Sequence, residues 1–400
     1  MSDENKFIAG EIVQLGEYES YLPNLINQQK FDLKDKRIFT LLEEASYRLG
    51  RLNALCHSVP FFNLFVNMHV LLEALSSSKI EGTKAEVEEL LFYEKNEKQK
   101  LNVNSELIDN LFSTIHHVYK NKSDFSIFST EFLEDINKRL FINIHPQNKY
   151  SGKVRNVQNF IGGNSIKDAA FIPPPHYEVK KLLNDLNDFW QNKQLQLPDL
   201  VKIAICHYQF ETIHPFLDGN GRIGRLLINL QLRESGKLCF PVLCLSEYFR
   251  KNKGFYYEAL TNTRFSHDIE HWIRFFLNAV NESTKERIRT LIKIIDLRNK
   301  YAEEINKTVK NPTNHFSLLH YLIEKSPYIT VKDVQTKLEI TYQGANKLID
   351  TFTKLGILSL GGENKRNRTF VFKEYYDLFF IEEKDDQPKQ DVDDCCIGIH

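Results

Sequence analysis

Apolar residues recur every three or four positions along most of the chain, which is the spacing of amphipathic α-helices. Residues 32–56, 67–82 and 85–98 follow this pattern. Residues 175–193 and 198–213 also follow it, and each begins at a proline, a common first residue of a helix. The segment 198–213 is apolar nearly all round, so we expect it in the centre of a helical bundle.

Two regions break the helical pattern. Residues 152–175 mix short β-prone stretches with a pair of glycines and end in three prolines, which predicts a hairpin or flap. Residues 315–373 contain three short helical patterns and then two β-like stretches around a glycine-rich, basic turn. A charged helical stretch from Asn281 leads to Pro312 and indicates a connector. Residues 383–400 are acidic and polar, which is typical of disorder.

The composition is globular: the chain has 400 residues, of which 42% are hydrophobic and 26% charged, enough for two or three domains. Its 52 basic and 53 acidic side chains nearly cancel, so binding to nucleic acid or anionic lipid would have to be local. No signal peptide pattern opens the sequence, its apolar runs are too short to cross a membrane, and its six cysteines are scattered. We therefore expect a cytoplasmic protein with reduced thiols and no membrane contact.

Positions 214–225 carry an unusual run of polar residues and glycines, HPFLDGNGRIGR. Asp218 and Asn220 are helix-capping residues. Gly219 and Gly221 let backbone N–H groups turn inward, toward an anion at the start of a helix. Arg222 and Arg225 project from one face of the first helical turn, where cations oppose the helix dipole by about 0.3–1 kcal/mol each. The run makes sense if a polyphosphate lies there, with Asp218 on a divalent metal and His214 free to act as a base.

Two other chemistries fit parts of this run. Residues 219–224 satisfy the G-x-G-x-x-G dinucleotide fingerprint, but a helical pattern precedes them where the fingerprint needs a strand. A metallohydrolase could use His207, His214 and Asp218, yet no third histidine lies nearby in the sequence. The neighbours of His207 are apolar, which favours a core histidine. The phosphate interpretation uses the whole run and is preferred.

The run resembles the signature of the Fic family, HPFx[D/E]GNGRxxR, and matches it at every defined position. Residues 152–155 and 160–163 resemble the family's flap, 171–175 its following turn, and 245–260 the helix that closes over the nucleotide. Most of residues 110–280 is thereby covered. The resemblance implies an all-α core with a β-hairpin flap that transfers AMP from ATP to a hydroxyl on a protein.

The same resemblance implies a role for each residue. His214 would deprotonate the target hydroxyl, and Asp218 would coordinate Mg²⁺. The implied phosphate and ATP contacts are Gly219, Asn220, Gly221, Arg222, Arg225, Tyr256 and Tyr257, and the implied target-docking residues of the flap are Arg155, Phe160 and Ile161.

A second signature, SSSKIEGTKAE, lies upstream. Ser77 and Glu81 are four positions apart, Gly82 suits the position just after a helix, and residues 83–86 form a capping box. A solvated surface acid would be the ordinary interpretation of such a glutamate. The pattern is similar to the family's inhibitory motif, (S/T)xxxE(G/N), which implies that Glu81 competes with phosphate for Arg222.

Residues 315–373 resemble a winged helix. Residues 331–340 and 341–356 would form the helix-turn-helix pair and 357–372 the wing. Side chains that could read DNA are Gln343, Asn346 and Lys347 on the recognition helix and Lys365, Arg366 and Arg368 at the wing tip. Winged helices also dock on proteins, and the neutral chain leaves both partners open.

We predict a mainly α protein: a Fic-type helical bundle with a β-hairpin flap, followed by a small winged helix-turn-helix domain. The expected divisions are an N-terminal helical region with the inhibitory motif (1–108), a catalytic domain (109–282), a connector (283–312), a winged helix (313–376) and a disordered tail (383–400). The expected activity is autoinhibited transfer of AMP from ATP, with Mg²⁺, to a Ser, Thr or Tyr of a target protein.

Three alternatives remain open: removal of AMP, transfer of another phosphate-linked group, and a nucleotide-sensing regulator that binds DNA. The intact His214 argues against a mere sensor, because sensing needs no base. A homodimer is also left open.

Overall fold

Helices dominate the described residues, as the apolar periodicity predicts. The computed structural model describes residues 7–59, 62–84, 103–121, 124–144, 152–361 and 368–380. Its contacts divide the chain into two units, Met1–Leu291 and Ile292–His400. The predicted helix at 85–98 and the predicted tail at 383–400 lie outside the described residues. Within the described ranges, no helix is both long and apolar enough to cross a membrane.

The first unit contains a short hairpin and a set of packed helices. Strands β1 (Gly10–Leu15) and β2 (Tyr18–Pro23) pair antiparallel, from Gly10 opposite Pro23 to Leu15 opposite Tyr18. The helices are α1 (Lys36–Ser58), α2 (Asn63–Ile80), α3 (Val103–Lys120), α4 (Thr130–Leu140), α5 (Val179–Gln191), α6 (Asp199–Ile213), α7 (Asn220–Glu234), α8 (Leu245–Lys251), α9 (Lys253–Ser266) and α10 (Ile269–Thr308), of which α10 runs into the second unit.

Helix α6 lies in the core because its sequence is apolar on nearly every side, as predicted. It begins directly after Pro198, and its residues from Leu200 to Ile213 are buried except Lys202. Helix α2 is also buried along most of its length and packs against α7 and α8. These buried helices bring the run at 214–225 and the end of α2 to one side of the bundle.

Two expectations for the first unit need correction. The N-terminal region, expected to be helical, opens with the β1–β2 hairpin, whose turn places Gly16 at φ 60°. The β-branched and aromatic residues on both sides of Gly16, Ile12 and Val13 before it and Tyr18 and Tyr21 after it, were the signal for this hairpin. The expected division at 282/283 falls inside α10, which continues without a break to Thr308.

The second unit contains short helices and a three-stranded antiparallel sheet. Its elements are α11 (Thr313–Glu324), β3 (Tyr328–Thr330), α12 (Val331–Leu338), α13 (Tyr342–Lys354), β4 (Ser359–Leu360), β5 (Thr369–Val371) and α14 (Lys373–Asp377), with β5 between β3 and β4. Thr330 and Asp333 form a capping box at the start of α12, and Thr341 caps α13. The wing-tip residues Lys365 and Arg366 lie outside the described residues.

Residues 152–175 form the expected hairpin, which a single β-bridge between Ile161 and Phe171 holds together. The N–H of Ile161 donates to the carbonyl of Phe171 at 2.8 Å, and the N–H of Ala170 donates to the carbonyl of Ile161 at 2.9 Å. Strand β2 anchors the return arm, since the N–H of Tyr21 donates to the carbonyl of Ile172 at 3.0 Å. The flap is thus tied to the N-terminal hairpin.

Arg155 fastens the flap to the end of α6. Its side chain is buried, with the residue 3% exposed, and donates to the carbonyls of His214 at 2.9 Å, Pro174 at 2.6 Å and Ile213 at 3.3 Å. Its own N–H donates to the carbonyl of Pro215 at 2.9 Å. The expectation that Arg155 docks a target is therefore corrected. Its guanidinium is buried and donates to backbone carbonyls of the flap and of the segment that carries His214.

We expect Arg155→Leu to lower the free energy of unfolding by about 3 kcal/mol, because several buried carbonyls lose their donor. Chemical denaturation of both proteins measures the difference. Lys153→Leu is the matched control: its side chain is 72% exposed and pairs with Glu134 at the surface, so the change should stay within about 0.5 kcal/mol. Equal losses in the two variants would contradict the anchoring role.

Candidate active site

His214 follows the last residue of α6 and adopts a left-handed conformation, with φ 50° and ψ 63°. Its N–H caps the helix by donating to the carbonyl of Phe210 at 3.0 Å. Burial lowers the pKa of its imidazole to about 4, although the charge of Glu81 opposes the shift. The imidazole is therefore neutral at pH 7 and can accept a proton. Its Nδ1 atom is buried without a hydrogen-bond partner.

Asn220 closes the loop that leads from His214 to α7. Its Oδ1 accepts from the N–H of Phe216 and its Nδ2 donates to the carbonyl of Phe216, both at 2.8 Å. Asn137 supports the next turn, donating to the carbonyl of Asp218 at 2.9 Å and accepting from the N–H of Gly152 at 2.7 Å. The amide of Asn220 thus shapes the loop and is not available to an anion. The backbone N–H groups of the first turn of α7 remain available to one.

Asp218 lies at the mouth of the loop with its side chain 61% exposed. Its carboxylate accepts from the N–H of Gly219 at 2.6 Å and from Nη2 of Arg222 at 2.9 Å. Among the described residues, no group of three His, Cys, Asp or Glu side chains could cage a metal. One exposed carboxylate next to a phosphate site still fits Mg²⁺, which usually keeps several waters and takes phosphate oxygens as ligands.

Arg222 is directed along α7 toward Asp218, four residues earlier in the chain. Its side chain is 4% exposed, and Cζ lies 5.1 Å from the centre of the Phe141 ring. Nε and Nη1 of Arg222 are buried and have no hydrogen-bond partner. A buried guanidinium with two unsatisfied nitrogens is an open site for an anion's oxygens.

Arg225 joins α7 to α2. Its Nε donates to the hydroxyl of Ser77 at 2.9 Å, and its Nη2 donates to the carbonyl of Ser77 at 2.9 Å and to Oε1 of Glu81 at 2.7 Å. Ser77 lies in the last turn of α2, Glu81 is the cap residue that follows Ile80, and Gly82 turns the chain away with φ 90°. The expectation that Glu81 pairs with Arg222 is therefore wrong. Glu81 pairs with Arg225, and Arg222 donates to Asp218 instead.

The two charges of this pair keep each other ionised. Burial alone would raise the pKa of Glu81, but the charge of Arg225 and its hydrogen bond outweigh burial and lower that pKa. Burial likewise opposes the charge of Arg225, and Glu81 restores it and raises the pKa of the guanidinium. The Arg225 side chain is almost wholly buried, whereas that of Glu81 is 33% exposed. Glu81 is thus the member of the pair that can leave.

A cavity of about 340 Å³ opens beside this pair and brings some of the predicted residues together, whereas Asp218, Gly219, Asn220 and Arg222 do not line it. Its walls include His214, Gly221 and Arg225 with Glu81, the flap residue Ile161, and from α9 Tyr256, Tyr257 and Leu260. Phe160, next to Ile161 on the flap, is 39% exposed and does not line the cavity. Charged side chains thus gather near α7, and the aromatic and aliphatic side chains of the flap and α9 line much of the remaining wall.

His207 is a core histidine, as its apolar neighbours indicate. It stacks with Trp272, with ring centres 5.7 Å apart, and burial lowers its pKa to about 3. Its Nδ1 lies 3.1 Å from the carbonyl of Gly224, which can only accept, so Nδ1 carries the proton. Nε2 then accepts from the hydroxyl of Tyr256 at 2.9 Å, so the proton of this hydroxyl is engaged in the core and cannot be donated to a nucleotide.

Two buried charged residues of the cavity were missed in the sequence. Glu211 lies one turn before His214, and Arg264 on α9 donates from Nε to the hydroxyl of Thr212 at 3.2 Å. The guanidinium of Arg264 also lies 4.0 Å from the centre of the Phe171 ring of the flap. Glu211 could have been noticed, because an acid in an otherwise apolar, buried helix needs a reason to be there.

Two family models and several curated proteins match parts of this chain. Residues 127–232 match the model of the Fic/DOC family, and residues 39–120 match the model of the Fic/DOC family N-terminal region. Protein adenylyltransferase Fic of Nematostella vectensis is 32% identical over 142 residues, which are 35% of this chain and 30% of that protein. The protein of the same name from Aedes aegypti is 30% identical over 177 residues, 44% of this chain and 32% of that protein.

A probable protein adenylyltransferase from Aquifex aeolicus (strain VF5) is 44% identical over 70 residues, 18% of this chain and 22% of that protein. The matched segments thus span about a third or less of the length of these relatives.

Solved structures share the fold. A Fic family protein from Desulfovibrio desulfuricans G20 superposes with a TM-score of 0.56 at 20% identity, covering 85% of this chain and 97% of that one. A Fic domain containing signaling protein from Bacteroides thetaiotaomicron VPI-5482 gives a TM-score of 0.51 at 16% identity, covering 63% and 98%. The two family matches, the similar adenylyltransferases and the common fold together support a Fic-type protein.

Proposed function

We propose that the chain transfers AMP from ATP to a hydroxyl group of a target protein. The observation that carries the proposal is a neutral histidine, His214, in the same cavity as the buried cation Arg225, one turn of α7 away from the unsatisfied nitrogens of Arg222. A base and a pair of cations at one site suit attack of a hydroxyl on a phosphate. The similar proteins named adenylyltransferases support the same reaction.

His214 would take the proton of the target hydroxyl, whose oxygen forms a bond to the α-phosphorus of ATP. The bond from that phosphorus to the bridging oxygen breaks, and pyrophosphate leaves. Nε and Nη1 of Arg222 would donate to phosphate oxygens, and Asp218 would hold Mg²⁺, which when bound neutralises phosphate charge. Tyr257, Leu260 and Ile161 would enclose the base of the nucleotide.

Glu81 would restrain this reaction by occupying Arg225. While the carboxylate holds Nη2 of Arg225, that nitrogen cannot bind a phosphate oxygen, and the triphosphate is not fixed for in-line attack. Release of Glu81 leaves Arg225 held by the hydroxyl and carbonyl of Ser77. The restraint is therefore reversible, because one partner can leave without freeing the arginine from α2.

The outer arm of the flap would hold the target by strand addition. Residues 156–160 include the exposed Asn156, Val157 and Phe160, and within the described chain none of their N–H groups donates to another backbone carbonyl. An extended segment of a target could pair with these groups and bring its hydroxyl to His214.

We infer that the second unit is a winged helix. The support is the order α11, β3, α12, α13, β4, β5 and the exposure of Gln343 and Lys347 on α13. Asn346 is half-buried and donates to the carbonyl of Tyr342, while Arg368 lies against the ring of Phe370. These few polar groups suit docking on either DNA or protein.

We expect His214→Ala to reduce AMP transfer by about 10²- to 10⁴-fold, because the target hydroxyl loses its base, while ATP binding persists. Incubation with α-labelled and γ-labelled ATP measures transfer, and only the α label should become protein-bound. His176→Ala, which removes an exposed histidine, is the control and should transfer normally. Transfer by His214→Ala at the parent rate, or bound γ label, would contradict the proposal.

We expect Glu81→Gly to raise AMP transfer roughly 5- to 150-fold, including transfer onto the protein itself, because Arg225 becomes free for phosphate. Breaking a fully buried pair lowers the free energy of unfolding by about 3–5 kcal/mol. Since Glu81 is partly exposed, the loss in Glu81→Gly should be smaller. Arg225→Ala is the control: it also breaks the pair but removes the phosphate contact, so it should not activate. Equal transfer by the parent and Glu81→Gly at matched ATP affinity would show that Glu81 does not inhibit.

We expect Val157→Pro to slow target modification by about tenfold or more, because proline removes an N–H from the pairing edge. Val157→Ala keeps the N–H and should modify targets at nearly the parent rate. The comparison is made with saturating ATP, so that only target docking is limiting. Equal rates for the proline and alanine variants would rule out strand addition at this edge.

A further inference from the structure

A second carboxyl group, that of Glu211, lies in the nucleotide cavity and has no role in the steps above. The residue is 8% exposed and lines the cavity together with Arg225, Arg264 and His214. Its Oε1 is buried without a hydrogen-bond partner. Among the ion pairs of the described residues, none includes Glu211. A buried, unpaired carboxyl group at an anion site requires an explanation.

Both carboxylates of the cavity rest on glycines of α7. A β-carbon placed on Gly221 would lie 2.2 Å from Oε1 of Glu81, and one placed on Gly224 would lie 2.2 Å from Oε1 of Glu211. Gly221 and Gly224 are three residues apart and share one face of the helix. Glu81 and Glu211 therefore sit on successive turns of the same face, next to the arginine that the nucleotide would use.

The surroundings of Glu211 leave its carboxyl group about half ionised and half neutral at pH 7. Burial raises its pKa to about 7, the charges of Arg225 and Arg264 work against burial, and the charge of Glu81 adds to it. The titratable and charged side chains that face it are Glu81 at the end of α2, His214 in the loop, Arg225 on α7, and Tyr256, Tyr257 and Arg264 on α9. Of these, His214 is neutral at pH 7.

We propose that Glu211 takes up a proton when ATP binds, and so positions Arg225 toward the phosphates rather than toward a competing buried carboxylate. This inference rests on the proposed function. The triphosphate brings more negative charge than the single carboxylate of Glu81 that it replaces, which favours the neutral form of Glu211. The proton comes from the solvent and bonds to a carboxylate oxygen of Glu211, and no other bond changes. A neutral Glu211 can then donate one hydrogen bond inside the cavity.

His214 does not take up a proton under the same conditions. Its pKa is about 4, so a rise comparable to that of Glu211 still leaves the imidazole neutral near pH 7.5. Whether Glu211 takes up a proton depends on its ionisation before ATP binds. Well below pH 7 Glu211 already carries its proton and takes up none, whereas near pH 7.5 it is mostly ionised and can gain one.

Titration calorimetry with Mg-ATP in two buffers of different ionisation heat measures the protons taken up on binding. Working in His214→Ala prevents transfer, and near pH 7.5 Mg-ATP itself is fully ionised. A rise of about one pH unit in the pKa of Glu211 gives an uptake of roughly half a proton per ATP at this pH and much less near pH 6. The uptake should disappear in Glu211→Gln and persist in Glu211→Asp, which keeps a carboxyl group.

The same uptake in Glu211→Gln as in its parent would overturn the assignment to this residue. Binding of Mg-ATP to the parent without proton uptake near pH 7.5 would overturn it as well, and that measurement needs no variant at position 211. Failure of every protein to bind Mg-ATP would overturn the proposed function together with this inference. The two proposals therefore fail in distinguishable ways.

Discussion

A single buried guanidinium, that of Arg225, joins α7 to α2, and its need for acceptors governs the rest of the site. The hydroxyl and carbonyl of Ser77 accept two of its hydrogen bonds from within the fold, and Glu81 accepts another from a partly exposed position. Leaving a buried cation without acceptors would cost several kcal/mol. Because the permanent acceptors lie on α2, the exchangeable one can give way to phosphate while the helices stay packed.

The same requirement explains why glycine stands at two positions of α7. Gly221 and Gly224 lack the β-carbons that would collide with the carboxylates of Glu81 and Glu211. A glycine inside a helix costs about 1 kcal/mol relative to alanine, so the sequence gives up helix stability at both turns. What it gains is room for two acids beside Arg225. The glycines of the run thus make room for the acids beside Arg225 as well as for the phosphates of the proposed reaction.

Local patterns predicted the helices and the loop with His214, Gly221 and Arg225, because helical periodicity and capping residues act over a few positions, whereas Ile161, Tyr256 and Tyr257 were implied only by the resemblance to a known family. The partner of Glu81 could not be predicted in this way. Arg222 and Arg225 lie on nearly the same helical face, and only the tertiary position of α2 decides between them. Arg155 was misjudged for the same reason, since nothing near it in the sequence indicates that its side chain is buried under the loop.

Burial acts on three titratable groups of one cavity and leaves each in a different state. It keeps His214 neutral, brings Glu211 close to half-protonated at pH 7, and fails to neutralise Glu81 because Arg225 is in direct contact. Burial sets the pKa of His214 and Glu211, and only for Glu81 does the charge of Arg225 outweigh burial. A base that is already neutral needs no deprotonation step before it accepts the proton of a hydroxyl. Arg225 therefore keeps Glu81 ionised where burial alone would favour its neutral form, and burial itself supplies the neutral imidazole that the proposed reaction requires.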